Sequence, residues 1–221
     1  MPSWNIHTAH AEKLLAEHGA AALGVRDENA FLFGNYVPDI YVGYLVSPIS
    51  VWIDYKHTHL ARKAYIPLPD YRLFRRRYIE PYERVPDIVL GAWCHLVCDH
   101  VYNACTRAYI KKVHVKPGEI TRQGKQADFA AFGHTLAISR RVVLDEALVA
   151  EAASFPQYAL AEEDVRAAVG AANAFIDDNR EHFLTELPPL KLLTPEFFSG
   201  AFAEADRICA EGLLELANAS M

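Results

Sequence analysis

His95 and Asp99 stand four residues apart in "GAWCHLVCDHVYNAC", residues 91–105, a stretch that is otherwise largely apolar. On a helix, positions i and i+4 project from one face, so this imidazole and this carboxylate point the same way. An ionised carboxylate inside an apolar helix costs on the order of several kcal/mol unless it is paired or coordinated. A bound cation removes that cost, because it keeps the carboxylate ionised and the imidazole neutral. The same spacing also suits a simple buried His–Asp hydrogen bond, and the pair alone does not choose between the two.

Other segments carry further donors. Asp39 follows Pro38 in the aromatic-rich "GNYVPDIYVG", and His57 and His59 lie together in "KHTHLARK". His7 sits at the start of the first helical stretch, with His10 one turn later. Downstream, "QADFAAFGHTLAISRR" offers Asp128 and His134, six residues apart and therefore on different faces of a helix. Asp128 is the expected additional carboxylate ligand. His100, next to Asp99, projects about 100° away and is placed to support a ligand rather than to be one. Cys94, Cys98, Cys105 and Cys209 form neither a disulfide framework nor a paired zinc-ligand motif, and read as small reduced core residues.

The elements that must position these groups read as helices. Apolar residues recur at helical spacing over 8–24, and "DENAFLFGN" reads as a short helix capped by Asp27. Residues 36–56 read as irregular, helices are expected at 58–65 and 70–80, and residues 87–112 form the least polar long stretch. From Ile88 to Cys98 the only strongly polar side chain is His95, so that helix must be surrounded by protein. A loop over 114–126, a helix over 127–152, a break at "SFPQY" and two long C-terminal helices complete the pattern. No strand alternation or hairpin signal is present. The expectation is all-α: a single multi-helix domain, 1–221, with a metal site buried between helices.

Charge limits the partners. The 221 residues carry a net charge of −6, with 52% hydrophobic and 23% charged residues. Residues 62–84 are locally basic, with "RLFRRRY" at their centre, whereas the C-terminal part is acidic. The Arg run reads as a solvated helix face that also offers a cation to a nearby anionic substrate. A nucleic-acid partner is not expected of a chain that is acidic overall. No apolar run reaches the ~20 residues of a membrane span. The N-terminus lacks the basic and apolar regions of a signal peptide, which points to a cytoplasmic protein.

Taken in order, His7, G-N-x-x-P-D at 34–39, T-H at 58–59 and L-G-x-x-x-H-x-x-x-D at 90–99 resemble the zinc-dependent phospholipase C family. That family includes the bacterial phospholipases C and the catalytic domain of glycosylphosphatidylinositol-specific phospholipase D, and is akin to the S1/P1-type nucleases. The resemblance covers residues 5–105, with a weaker echo to about 135, and 150–221 are unmatched. It implies one zinc held by Asp39, His59, His95 and Asp99, with Asp99 bridging to a second metal touched by His7. The T-H pattern favours His59 over His57. Asp39 is expected to orient or deprotonate the attacking water, with Asp128 completing the site. His95 then needs an acceptor for its remaining ring N–H. The chain departs from the family at three places: Trp4 follows Met1, Pro2 and Ser3 instead of opening the chain, Tyr102 and Asn103 replace a later histidine, and no clear H-x-x-x-E pair follows.

The resemblance implies a metal-dependent phosphoric-ester hydrolase, a phosphodiesterase acting on a small phosphoester or a lipid head group. One or two zinc ions are expected, and manganese or iron(II) suits the same donors. Two other readings compete. A helical phosphohydrolase of the H…HD…D type is opposed by the reversed "DH" at 99–100. A degenerate helical binding module is favoured by the missing third-metal ligands.

Overall fold

The computed structural model describes residues 2–219 and contains helices but no strand among them. They are α1 (Trp4–His18), α2 (Glu28–Gly34), α3 (Val37–Ile40), α4 (Tyr55–Thr58), α5 (Tyr71–Tyr78), α6 (Asp87–Lys112), α7 (Glu119–Gly133), α8 (Glu146–Ala153), α9 (Glu162–Glu181) and α10 (Pro195–Ala219). Four helix starts are set by aspartates whose carboxylates accept from first-turn N–H groups: Asp27, Asp54, Asp70 and Asp145.

α6 is the axis of the fold. Its packing against α2 and α10 is the most extensive in the protein, and α1, α3 and α5 also lean on it. Burial on every side explains why the helix has no polar stripe from Ile88 to Cys98. Two contacts of α6 require glycine. A Cβ on Gly91 would overlap the Phe31 carbonyl, and one on Gly34 would overlap the Ile88 carbonyl. A Cβ on Gly212 of α10 would likewise overlap the Trp93 indole. The core is continuous from Trp4 to Leu213, so the C-terminal helices belong to the same all-α domain as the residues of the motifs. Among the described residues no helix is long and apolar enough to cross a membrane.

Several element boundaries differ from the expectations. α1 begins at Trp4 rather than residue 8 and ends at His18, because Gly19 turns to φ 78°. The helix expected at 58–65 is the single turn Tyr55–Thr58, and Leu60 at φ 51° prevents its continuation. α3 is one turn within a segment expected to be irregular. The loop expected at 114–126 is helical from Glu119, and the helix expected at 127–152 stops at Gly133 and resumes only at Glu146. Between them the backbone turns at 134–136 and then runs without regular structure, satisfied by side chains. Glu12 accepts from the N–H of Ser139, Asn173 brackets Val142, and Asn29 brackets Val143.

Candidate metal centre

Asp39, His59, His95 and Asp99 converge although they come from three separate places on the chain. The Gly34–Gly91 contact brings the end of α2 against α6, and α3 follows at once, carrying Asp39. His59 caps the C-terminus of α4, and His95 and Asp99 lie one turn apart on α6. The His59 Nε2 atom is 3.1 Å from His95 Nε2, 3.6 Å from Asp39 Oδ1 and 3.5 Å from Asp99 Oδ2. His95 Nε2 is 3.9 Å from Asp39 Oδ1 and 4.0 Å from Asp99 Oδ2. A tetrahedral zinc with bonds of about 2.0–2.2 Å separates its ligand atoms by roughly 3.3–3.6 Å. The five measured edges scatter around that value.

The hydrogen bonds on the far sides of the rings fix which nitrogens face inward. His95 Nδ1 donates to the carbonyl of Asn35 at 2.8 Å, so its Nε2 carries a lone pair. The Thr58 hydroxyl donates to the Tyr55 carbonyl and receives His59 Nδ1–H at 2.7 Å, which leaves His59 Nε2 as a second lone pair. Two lone pairs 3.1 Å apart repel unless a cation lies between them. Burial pushes His59 well below its ordinary pKa, and His95 and His7 add to this against the pull of Asp99, so His59 itself does not take up a proton there.

A second set shares part of the first. His7 Nε2 lies 3.5 Å from Asp99 Oδ1, and its ring stacks on His95 with centroids 4.0 Å apart. The two Asp99 oxygens therefore face different histidines, Oδ2 toward His59 and Oδ1 toward His7. Both His7 ring nitrogens and Asp99 Oδ1 are buried without a hydrogen-bond partner. Such orphaned atoms cost about 1–3 kcal/mol each. The donors thus fit a divalent cation in two overlapping sets of three, Asp39, His59 and His95, and His7, His95 and Asp99, which share the one inward lone pair of His95.

The electrostatics separate the two carboxylates. Burial raises Asp39, and neighbouring Asp99 raises it further against the pull of His95. Burial would raise Asp99 too, but His7, His95 and His59 together hold it well below the usual carboxylate range. His7 falls to about 3, first through burial and then through His95, against the attraction of Asp99. Asp39 is also the ligand nearest solvent, at 7% exposure where the others have at most 1%.

Two residues beyond the motifs complete the site. Tyr55 Oη donates to Asp99 Oδ2 at 2.9 Å while its ring stacks on His59 at 3.7 Å. The Trp4 indole N–H donates to Asp39 Oδ2 at 3.1 Å. Their sequence signal is positional: Tyr55 is four residues before His59, and Trp4 is three before His7.

Other candidates lie elsewhere. Asp128, expected as a ligand, is a correction: its carboxylate accepts from the N–H groups of Lys191, Leu192 and Leu193 and joins neither ligand set. His57 points into solvent, so His59 is the histidine of that pair in the cluster. His100 Nδ1 pairs with the Pro69 carbonyl, and His134 lies 3.7 Å from Asp178. His10 is held by Asp206 at 2.5 Å and by Tyr102. Cys94, Cys98 and Cys209 are buried and unbridged. Comparison with known families, curated proteins and solved structures found no significant match to the chain.

Proposed function

We propose that this protein is a metal-dependent phosphoric-ester hydrolase that acts on a phosphodiester with zinc in the His/Asp cluster. The observation that carries the reading is that the inward-facing nitrogens of His59 and His95 lie 3.1 Å apart and each lies 3.5–4.0 Å from an oxygen of Asp39 and of Asp99. Manganese and iron(II) suit the same nitrogen and oxygen donors. A divalent cation held there would polarise a phosphoryl oxygen and bring the pKa of a water molecule down toward neutrality. Asp39 is placed to take a proton from that water, because it alone of the cluster's carboxylates reaches toward solvent. The water oxygen would bond to phosphorus as the bond to the leaving oxygen breaks, and the proton taken up by Asp39 would pass on to that leaving oxygen to release the alcohol. Trp4 keeps Asp39 Oδ2 oriented, and Tyr55 does the same for Asp99 Oδ2.

The loop between α3 and α4, which separates Asp39 from His59 along the chain, exposes Tyr44, Val51 and Trp52. That apolar rim supports a lipid head group over a fully soluble phosphoester. Elemental analysis of chelator-free protein, followed by hydrolysis of bis(p-nitrophenyl) phosphate with added Zn²⁺ or Mn²⁺, tests the reading. About one or two metal ions per chain and a turnover abolished by Asp99→Ala are expected. Protein that acquires no metal sinks the proposal. Metal without turnover on either soluble or lipid phosphodiesters leaves the competing one, an inert helical metal binder.

A further inference from the structure

A concave surface of 400 Å³ lies between α5, the loop leading into it and α6, and is lined by Arg62, Arg72, Arg107, His100, Tyr71 and Asp70, among others. It runs into a shallower depression of 510 Å³ that shares Arg107 and adds Lys111. Three guanidinium groups therefore meet one carboxylate in a cleft of a protein whose net charge is −6. Arginines elsewhere are mostly neutralised: Arg75 pairs with Glu215, Arg140 with Glu28, Arg141 with Asp177 and Arg207 with Glu204. Among the described residues none of the three cleft arginines has a carboxylate partner.

Two of the three are held in place by contacts that leave donors free. Arg107 Nε donates to the Ile66 carbonyl at 2.7 Å, so its terminal nitrogens remain available. Arg72 lies over the Tyr71 ring, 5.0 Å from its centroid, which leaves the edge of the guanidinium open. The single acid, Asp70, is already engaged, since Oδ1 accepts from Leu73 N–H at the start of α5. A pre-oriented guanidinium loses little freedom on binding and matches the oxygen spacing of a phosphate. The volume lies within the range of small-molecule sites.

We propose that this cleft binds a compact anion bearing more than one phosphate charge, at a site separate from the His/Asp cluster. His100 follows Asp99 directly on α6 and so projects about 100° away from it. The cleft and the cluster occupy different faces of that helix, and the proposal does not depend on metal in the cluster.

Calorimetric titration of chelator-treated whole chain with inorganic pyrophosphate tests it, with inorganic phosphate as the weaker comparison. Saturable binding is expected, weakening as salt is added. Arg72→Ala and Arg107→Ala should each lower affinity about tenfold, the loss of one charge-assisted contact. Asp99→Asn should leave affinity unchanged. Absence of saturable binding overturns the proposal, as does binding that ignores both arginine substitutions. Binding lost in Asp99→Asn places the anion in the cluster instead and overturns it equally. Association only with phosphatidylglycerol-containing vesicles, and not with pyrophosphate, identifies a charged surface rather than a site.

Discussion

Gly34 and Gly91 meet at the α2–α6 crossing, where a Cβ built on either would come within 2.9 Å of the other's Cα. Both belong to the short motifs that carry the candidate metal ligands. Their contact lowers the last turn of α2 onto α6, so that the Asn35 carbonyl reaches His95 Nδ1 and α3 delivers Asp39 beside it. Gly91→Ala gains about 1 kcal/mol of helix propensity. It also drives a methyl group into the Phe31 carbonyl, and overpacking typically costs about 1–3 kcal/mol. Backbone cannot move aside as a flexible side chain can, so the upper end is expected. Denaturant unfolding should show a net loss near 2 kcal/mol, and metal affinity should fall with it. A variant as stable as the parent would show that the two helices can separate without harm.

The outcome explains what was legible in the chain. α6 was readable at close to its full length, because the apolar stretch from Ile88 to Cys98, broken only by His95, reads as a helix surrounded by protein. The convergence of His7, Asp39, His59, His95 and Asp99 was readable from the order of short motifs, not from periodicity. The helix expected at 127–152 failed because its apolar spacing continues past Gly133, while the chain there is held without regular structure by Glu12, Asn29 and Asn173, residues distant in sequence. Tyr55 escaped notice, and Trp4 was noted only as a departure from the family pattern, for a related reason. An aromatic residue announces packing, and only the folded chain reveals that its polar atom reaches a carboxylate.

Tyr55→Phe isolates the hydrogen bond from the stack. The phenyl ring retains its contact with His59, while Asp99 Oδ2 loses the 2.9 Å bond from the phenol. Groups that orient metal ligands change affinity about 10–100-fold when removed. Zinc affinity measured by competition with a chromophoric chelator should fall within that range, with little change in thermal stability. Unchanged affinity would mean that His7 and His59 alone orient the carboxylate.

Stability of the metal-free protein should peak near pH 6.5, because buried histidines titrate in opposite senses. His7 and His59 are held below the ordinary value of 6.5, so their contribution is complete above it and is lost as pH falls. Two sites give a slope of about 2.7 kcal/mol per pH unit on the acid side, at roughly 1.4 for each. His10 behaves oppositely. Burial lowers it, but its partners outweigh burial and raise it above the ordinary value. Burial keeps Cys98 a neutral thiol, so Asp206 at 2.5 Å is the partner that retains the proton. The His10 contribution is complete below pH 6.5 and is lost as pH rises through its raised pKa, a slope of about 1.4 kcal/mol per unit. Denaturation midpoints measured between pH 5 and 9 check both arms. His10→Gln should flatten the alkaline arm and His7→Gln should halve the acid one; arms that ignore these substitutions would falsify the assignment.

Asp128 separates a structural carboxylate from a ligating one. Its Oδ1 accepts from Lys191 N–H at 2.6 Å, and its Oδ2 from Leu192 and Leu193 N–H at 2.8 Å each. These donors lie more than sixty residues downstream, which is why a buried Asp on α7 read as a metal ligand in the sequence. Three hydrogen bonds to one charged group satisfy the carboxylate without a cation. Asp128→Ala strands those N–H groups, of which only that of Leu193 belongs to a buried residue, and should cost about 1–3 kcal/mol. Asp128→Asn keeps some acceptors and should cost less. Neither substitution should alter the metal bound per folded chain, whereas Asp99→Asn should lower it with a smaller effect on folding. Metal content that falls in Asp128→Asn as steeply as in Asp99→Asn would return Asp128 to the ligand set, and the cluster would then have to reorganise around α7 when it binds its ion.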